Sequence, residues 1–309
     1  MDVKIVFGQM VIMFTLMGLG FGLARVKLFS DKAPSDFSKM IVEVCNPALI
    51  ICSTLNREST ASRNDILLAV LLAVIYYAAL IGLSLLIPRL IRAKKSQVTS
   101  YQLLSVYGNI GFMGIPLITA VMGNSAVIYL SLFIIIFNLL IYTHGIGILT
   151  GKSNSEKGQF EWRRMINSGT IASVIALVIY VADISVPAMA NQTLQYVGQC
   201  TTFFAMAIIG MALANISAKE LFSDGKLYIF IALRFLLLPV VVALCLKPIL
   251  NNQMLLGVIV LTLALPAGNT SLMLSEQYNG ETDLLARAII LTTILSVITV
   301  TVASWVLAL

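Results

Sequence analysis

Charged side chains are scarce in this chain. Only 11% of its 309 residues are Asp, Glu, Lys or Arg, less than half the roughly 25% of an ordinary soluble domain, while 59% are hydrophobic. A water-soluble fold of this length would have too little polar material to cover its surface. Histidine occurs once, as His144. The histidine and carboxylate clusters that intramembrane enzymes and metal centres need are therefore missing, and the chain reads as a non-enzyme with no cofactor and no metal. A Walker-type phosphate loop on a soluble domain is absent too, which argues against an ATP-driven pump. Four cysteines in so long a chain exclude a disulfide scaffold. Cys45 and Cys52 lie seven apart on one expected helix, about 10 Å along its axis, too far to bridge. All four read as small apolar core residues.

What the chain has instead is a succession of apolar runs, each near the roughly 17–25 residues that cross a bilayer as a helix. They fall at 5–24, 37–55, 66–87, 98–122, 126–149, 165–181, 194–214, 227–246, 254–275 and 284–309. The expected fold class is thus all-α and integral to the membrane, with ten transmembrane helices. The first run is followed by Arg25 and Lys27 without a small-residue cleavage site, unlike a signal peptide.

Loops between such runs alternate sides, which sorts the basic residues. One side receives Lys4, Arg57, Arg63 and Lys247. The other receives Arg25, Lys27, Lys32, Lys39, Arg89, Arg92, Lys94, Lys95, Lys152, Lys157, Arg163, Arg164, Lys219, Lys226 and Arg287. Cytoplasmic loops retain Lys and Arg, so the richer side is expected to be cytoplasmic, in the cell membrane, with both termini outside. The net charge of +6 is explained by this distribution and is no nucleic-acid footprint.

Five runs on each side of one polar loop imply two halves that cross the membrane in opposite senses, an arrangement found in many secondary transporters. The expected organisation is a first inverted repeat at 1–150, a cytoplasmic loop at 151–164 and a second repeat at 165–309. At an offset of 160, Pro88 falls on Pro248, Gly108 on Gly268 and Asn109 on Asn269. Both Gly-Asn pairs sit mid-run in the fourth span of their half, where helix rules are broken most openly. Around the first, Gly108, Gly111 and Gly114 weaken the helix, and Pro116 removes a donor and orphans the carbonyl of Phe112. Around the second, Pro266 does the same to Thr262. In lipid such breaks survive only where protein or water covers them. Helices four and nine are therefore expected to be discontinuous and to meet at mid-depth. Their half-helix amino termini would aim unpaired N–H groups at one spot and hold an anion without a buried Lys or Arg. Asn109 and Asn269 are expected to bind it, with Gly108, Gly268, Ile110, Thr270 and Ser271 around them and Asn46 and Asn138 as further pocket residues. Pro47, Pro116 and Pro266 are the expected helix-breaking prolines.

Two charges fall inside spans, where each is a functional candidate. Glu43 and Arg234 lie at similar depths, roughly 9 Å in. They form either an ion pair, aided by the carbonyl that Pro47 frees, or Arg234 snorkels to the headgroups. If paired, Glu43 is either a candidate coupling site for H⁺ or part of a structural anchor, and export driven by the membrane potential or Na⁺ coordination by carbonyls and amides are the other routes. His144 reads as interface packing.

The residues at these positions are similar to the auxin efflux carrier family, which comprises the plant PIN exporters and many bacterial organic acid carriers. The likeness runs along nearly the whole chain: Gly20-Phe21-Gly22-Leu23-Ala24-Arg25 with Leu28-Phe29-Ser30, Asn46-Pro47-Ala48-Leu49-Ile50, Asn109 with Gly114-Ile115-Pro116-Leu117, Arg234-Phe235-Leu236-Leu237-Leu238-Pro239, and Leu265-Pro266, Gly268 and Glu276-Gln277-Tyr278-Asn279-Gly280. Gly108 and Ser271 depart from it, standing where the plant carriers have prolines. The resemblance implies a fold of the bile acid symporter and NhaA type with crossing helices four and nine, a scaffold and a transport domain, elevator-like alternating access and a homodimer. Taken together, the expectation is a secondary carrier for small organic acid anions, mono- or dicarboxylates. The alternative is a sodium/organic anion symporter of the bile acid type.

Overall fold

Side-chain caps open several helices of this chain, at Ser62, Asp224 and Asn252, and glycine or proline ends others inside apolar runs, as at Gly123 and Leu265-Pro266. The computed structural model describes residues 3–30, 32–55, 62–150, 168–182, 184–214, 221–222, 224–278 and 280–308. Among them the elements are α1 (Val3–Arg25), α2 (Ala33–Met40), α3 (Asn46–Leu55), α4 (Arg63–Leu90), α5 (Val98–Val106), α6 (Ile115–Met122), α7 (Ser125–Leu140), α8 (Ile146–Thr150), α9 (Ser168–Val181), α10 (Ala188–Ala214), α11 (Gly225–Ile231), α12 (Leu238–Leu246), α13 (Gln253–Ala264), α14 (Asn269–Gln277) and α15 (Asp283–Ala308). No named strand occurs among the described residues. The expected loop 151–164 and its basic residues lie outside the described residues, as does Lys219.

Among the described residues six helices are long and apolar enough to cross a bilayer: Phe7–Arg25, Asn64–Leu90, Ser125–Thr150, Ala188–Ala214, Gly225–Leu246 and Asp283–Ala308. The remaining expected spans differ for physical reasons. The run at 37–55 belongs to a helix from α2 into α3, widened midway. Those at 98–122 and 254–275 are each divided into two shorter helices. The run at 165–181 is described only from Ser168.

Among the described residues, three of the four widened π turns share one cause. Ile41–Cys45, Ile110–Gly114 and Ala232–Leu237 each end two residues before a proline, namely Pro47, Pro116 and Pro239. Proline has no N–H for the carbonyl four residues back and its ring collides with it. One widened turn moves that carbonyl aside and lets the helix continue. Pro47 and Pro116 therefore mark bulges in helices that carry on, whereas Pro266 stands inside a true interruption.

Packing follows the small residues. α1 lies along α10, where a Cβ at Gly20 would strike the backbone of Ala207 and one at Gly210 that of Met17. α3 packs on α9 and α10, and a Cβ at Gly198 would stand 2.8 Å from the Cα of Leu49. At the centre is α13, buried from Leu255 through Ala264 between α7, α12 and α15. The outer face is apolar: on α4, Leu67, Leu71, Leu86 and Leu90 are all exposed. An apolar belt of this kind is a lipid-facing surface. It also corrects the reading of the cysteines, for Cys45 and Cys52 are buried but Cys200 and Cys245 are exposed on it.

Candidate functional site

α5 stops at Val106 because Tyr107 turns extended (φ −105°, ψ 90°). α13 stops at Ala264 because Leu265, forced out of the helical region by the following proline, is extended too (φ −59°, ψ 146°). The two interruptions pair with each other as a short antiparallel bridge between Gly108 and Ala267. The amide of Asn109 donates to the Pro266 carbonyl at 2.8 Å, and that of Gly268 to the Tyr107 carbonyl at 3.0 Å. Backbone groups that helix loss would orphan in the membrane core thus find partners across the crossing.

α15 supplies the rest. The Ala267 amide donates to Thr292 Oγ1 at 3.1 Å, and the Thr299 hydroxyl donates to the Ala264 carbonyl at 3.0 Å. On the other flank the Tyr107 hydroxyl lies 2.9 Å from both the Leu140 carbonyl, to which it donates, and His144 Nδ1. Sequence reasoning missed these supports. Thr292 and Thr299 were findable, since hydroxyls seven apart fall on one helix face and that face had to meet the broken segment.

Beyond the crossing each chain segment becomes helix again. Asn109 caps the first, its Oδ1 accepting the Phe112 amide at 3.2 Å, and α14 opens with Asn269 and Thr270. The first amides of each helix have no carbonyl within their own helix, and both starts border one cavity of about 130 Å³. Asn46, Gly108, Asn109, Ile110, Asn138, Gly268, Asn269 and Thr270 line it together with Val42, Ile50, Gly111, Phe112, Ile115, Ile134, Phe137 and Gly169. The lining holds no charged side chain. Two of its asparagines have atoms without a partner, Nδ2 of Asn109 and Oδ1 of Asn46. With the Asn109 oxygen held by the Phe112 amide, its nitrogen is a free, desolvated donor. Ser271 is buried with an unpartnered hydroxyl and is not part of the lining.

Glu43 and Arg234 are not brought together. Glu43 is exposed and accepts a hydrogen bond from the Ser168 hydroxyl. Arg234 is 1% exposed, so it does not snorkel, and it donates to backbone carbonyls instead. Its acceptors are created by the interruption of α5 and α13, which is why no side-chain pattern pointed to them. Pro116 lies beyond the first interruption, in the opening turn of α6.

Multiple membrane-length helices, an apolar outer belt and two interrupted helices meeting over a cavity partly lined by asparagines define a polytopic membrane protein. The chain matches the family described as membrane transport protein over residues 5–304. It belongs to that family, the auxin efflux carrier type, whose members are transporters rather than enzymes. Comparison with curated proteins returned no match.

Proposed function

We propose that the chain is a secondary carrier for small organic anions, mono- or dicarboxylates, bound where the two interrupted helices meet. One observation supports this most: a free Asn109 Nδ2 donor and two helix amino termini border a single cavity with no charged side chain in its lining. Helix starts carry about half a positive charge each, so together they favour an anion without the cost of burying a Lys or Arg. Asn269 adds a second amide and Asn138 and Asn46 the remaining polar wall.

The carrier consists of two inverted five-helix repeats, 1–150 and 165–309, joined by the loop 151–164. It sits in the cell membrane with both termini outside, as a homodimer, and works by elevator-type movement of the crossing against the rest. The Gly-Asn pairs at an offset of 160 and the pairing of their segments support the repeat. The basic-residue asymmetry supports the orientation.

Purified protein tested against malonate, malate and acetate by thermal shift is expected to melt higher with at least one of them. Ligand at 100 times its Kd adds about 2.7 kcal/mol. Asn109→Leu and Asn269→Leu should each remove the shift while the protein still melts cooperatively. Shifts retained by both variants would overturn the assignment of the pocket.

A further inference from the structure

The crossing has two electrical sides. Its helix starts face the cavity, and its helix ends, carrying about half a negative charge each, face the other way. In a regular helix the Ser105 carbonyl would accept from the amide of Asn109 and the Leu263 carbonyl from that of Ala267. Those amides are engaged elsewhere, with Pro266 and Thr292. Both orphaned carbonyls point at one guanidinium: Arg234 Nε donates to Ser105 O at 2.6 Å and Nη1 to Leu263 O at 3.0 Å.

Arg234 reaches them because the π turn Ala232–Leu237 carries it inward ahead of Pro239. It rests against the ring of Phe235, 4.9 Å from the centroid, with the Tyr76 hydroxyl beside it. No carboxylate pairs with it among the described residues. A guanidinium 1% exposed in a membrane-spanning segment is retained only against an opposing charge, and here that charge is the two helix ends.

Broken-helix carriers use such carbonyl ends to coordinate a coupling Na⁺ or H⁺. We propose that Arg234 is a resident cation that takes the place of a coupling cation at the crossing, so that anion binding requires no Na⁺. The inference rests on the reading of the crossing as the anion site. Arg234 touches no substrate; it is a positioning residue that keeps both helix ends aligned and neutralised. The cavity lining holds no carboxylate either.

The test uses the full chain, with Na⁺ alone and malonate as probes, in sodium chloride and in choline chloride of equal ionic strength. The wild type is expected to melt at the same temperature in both salts and to bind malonate equally. Sites coupled through Na⁺ would differ by roughly 5–150-fold in affinity. Arg234→Gln should melt lower and regain part of the loss in sodium but not in choline, because the vacated carbonyls now admit the ion. Arg234→Lys should remain insensitive to sodium. Saturable stabilisation of the wild type by Na⁺, malonate binding only in sodium, or an Arg234→Gln variant of undiminished stability would each overturn the proposal. The wild-type comparison stands even where a variant fails to fold. If none of the carboxylates binds in either salt, it is the anion site that fails, and the sodium melts still judge Arg234.

Discussion

A side chain at Gly268 would place its Cβ 2.8 Å from the carbonyl oxygen of Gly108 and 3.2 Å from that of Tyr107. Neither oxygen has room to retreat. The Tyr107 carbonyl accepts the Gly268 amide itself, and Gly108 is fixed by the bridge to Ala267. The reverse approach is loose: a Cβ at Gly108 would meet Pro266 O at 3.6 Å, an ordinary contact.

The two glycines of the repeated Gly-Asn pair therefore differ in what they tolerate. Gly268→Ala is expected to lose more than the typical overpacking cost of about 1–3 kcal/mol, since backbone rather than a flexible side chain must yield. It should also abolish the malonate-induced shift. Gly108→Ala should fold and bind nearly as the parent does. Thermal melting of both variants with and without malonate checks the asymmetry, and equal tolerance would show that the segments approach less closely than this.

Far from the crossing, Asn252 ties two helix starts together. Its Oδ1 caps α13 by accepting the Leu255 amide at 2.9 Å. Its Nδ2 donates to Asp65 Oδ1 at 2.9 Å and to the Tyr129 hydroxyl at 3.1 Å. Asp65 in turn closes the capping box of α4 with Ser62. Asn252→Ala loses cap and link together, an expected cost of about 2 kcal/mol. Asn252→Asp keeps an acceptor for the cap but sets a second carboxylate against Asp65. Like charges disfavour each other's ionised form, so this variant should be destabilised at neutral pH and recover as the pH falls and one carboxyl takes up a proton. Melting curves across acidic pH separate the two, because Asn252→Ala has no such charge to relieve.

These contacts show which parts of the molecule could be read from letters. Glycine, asparagine and proline inside an apolar run mark where a helix cannot continue unaided, and at Pro266 and Gly108 the helices do stop. A proline alone is a weaker sign. Pro47, Pro116 and Pro239 look identical on paper, yet each follows one widened turn and the helix continues past it. Arg234 was visible as a charge at depth, but its acceptors were not. A side-chain pattern suggested Glu43, whereas the true partners are main-chain oxygens of residues as unremarkable as Ser105 and Leu263. Main-chain acceptors carry no signature in composition; they appear only when the amides that would have used them are bonded elsewhere. The same holds for Thr292 and Thr299, whose spacing marks a polar face but not the interruption that face supports.

Orientation can be tested from the loops that the fold places side by side. Lys226 Nζ donates to the Arg92 carbonyl at 2.6 Å, and Ser100 donates to Glu281 at 2.8 Å. The loop after α4 thus lies beside the start of α11, and the start of α5 beside the segment before α15. The Asp65–Asn252 link gathers the start of α4 and the loop before α13. The first group carries Arg89, Arg92, Lys94, Lys95, Lys226 and Arg287, and the second carries Arg63 and Lys247, so contact and charge sort the loops alike. If cytoplasmic loops keep the basic residues, single cysteines at the exposed Lys94 and Asn251, in a background without the native cysteines, should behave oppositely. A membrane-impermeant maleimide applied to intact cells should label Asn251→Cys and spare Lys94→Cys until the membrane is opened. External labelling of Lys94→Cys would invert the proposed orientation while leaving the crossing untouched, because the contacts of the crossing do not depend on which side faces out.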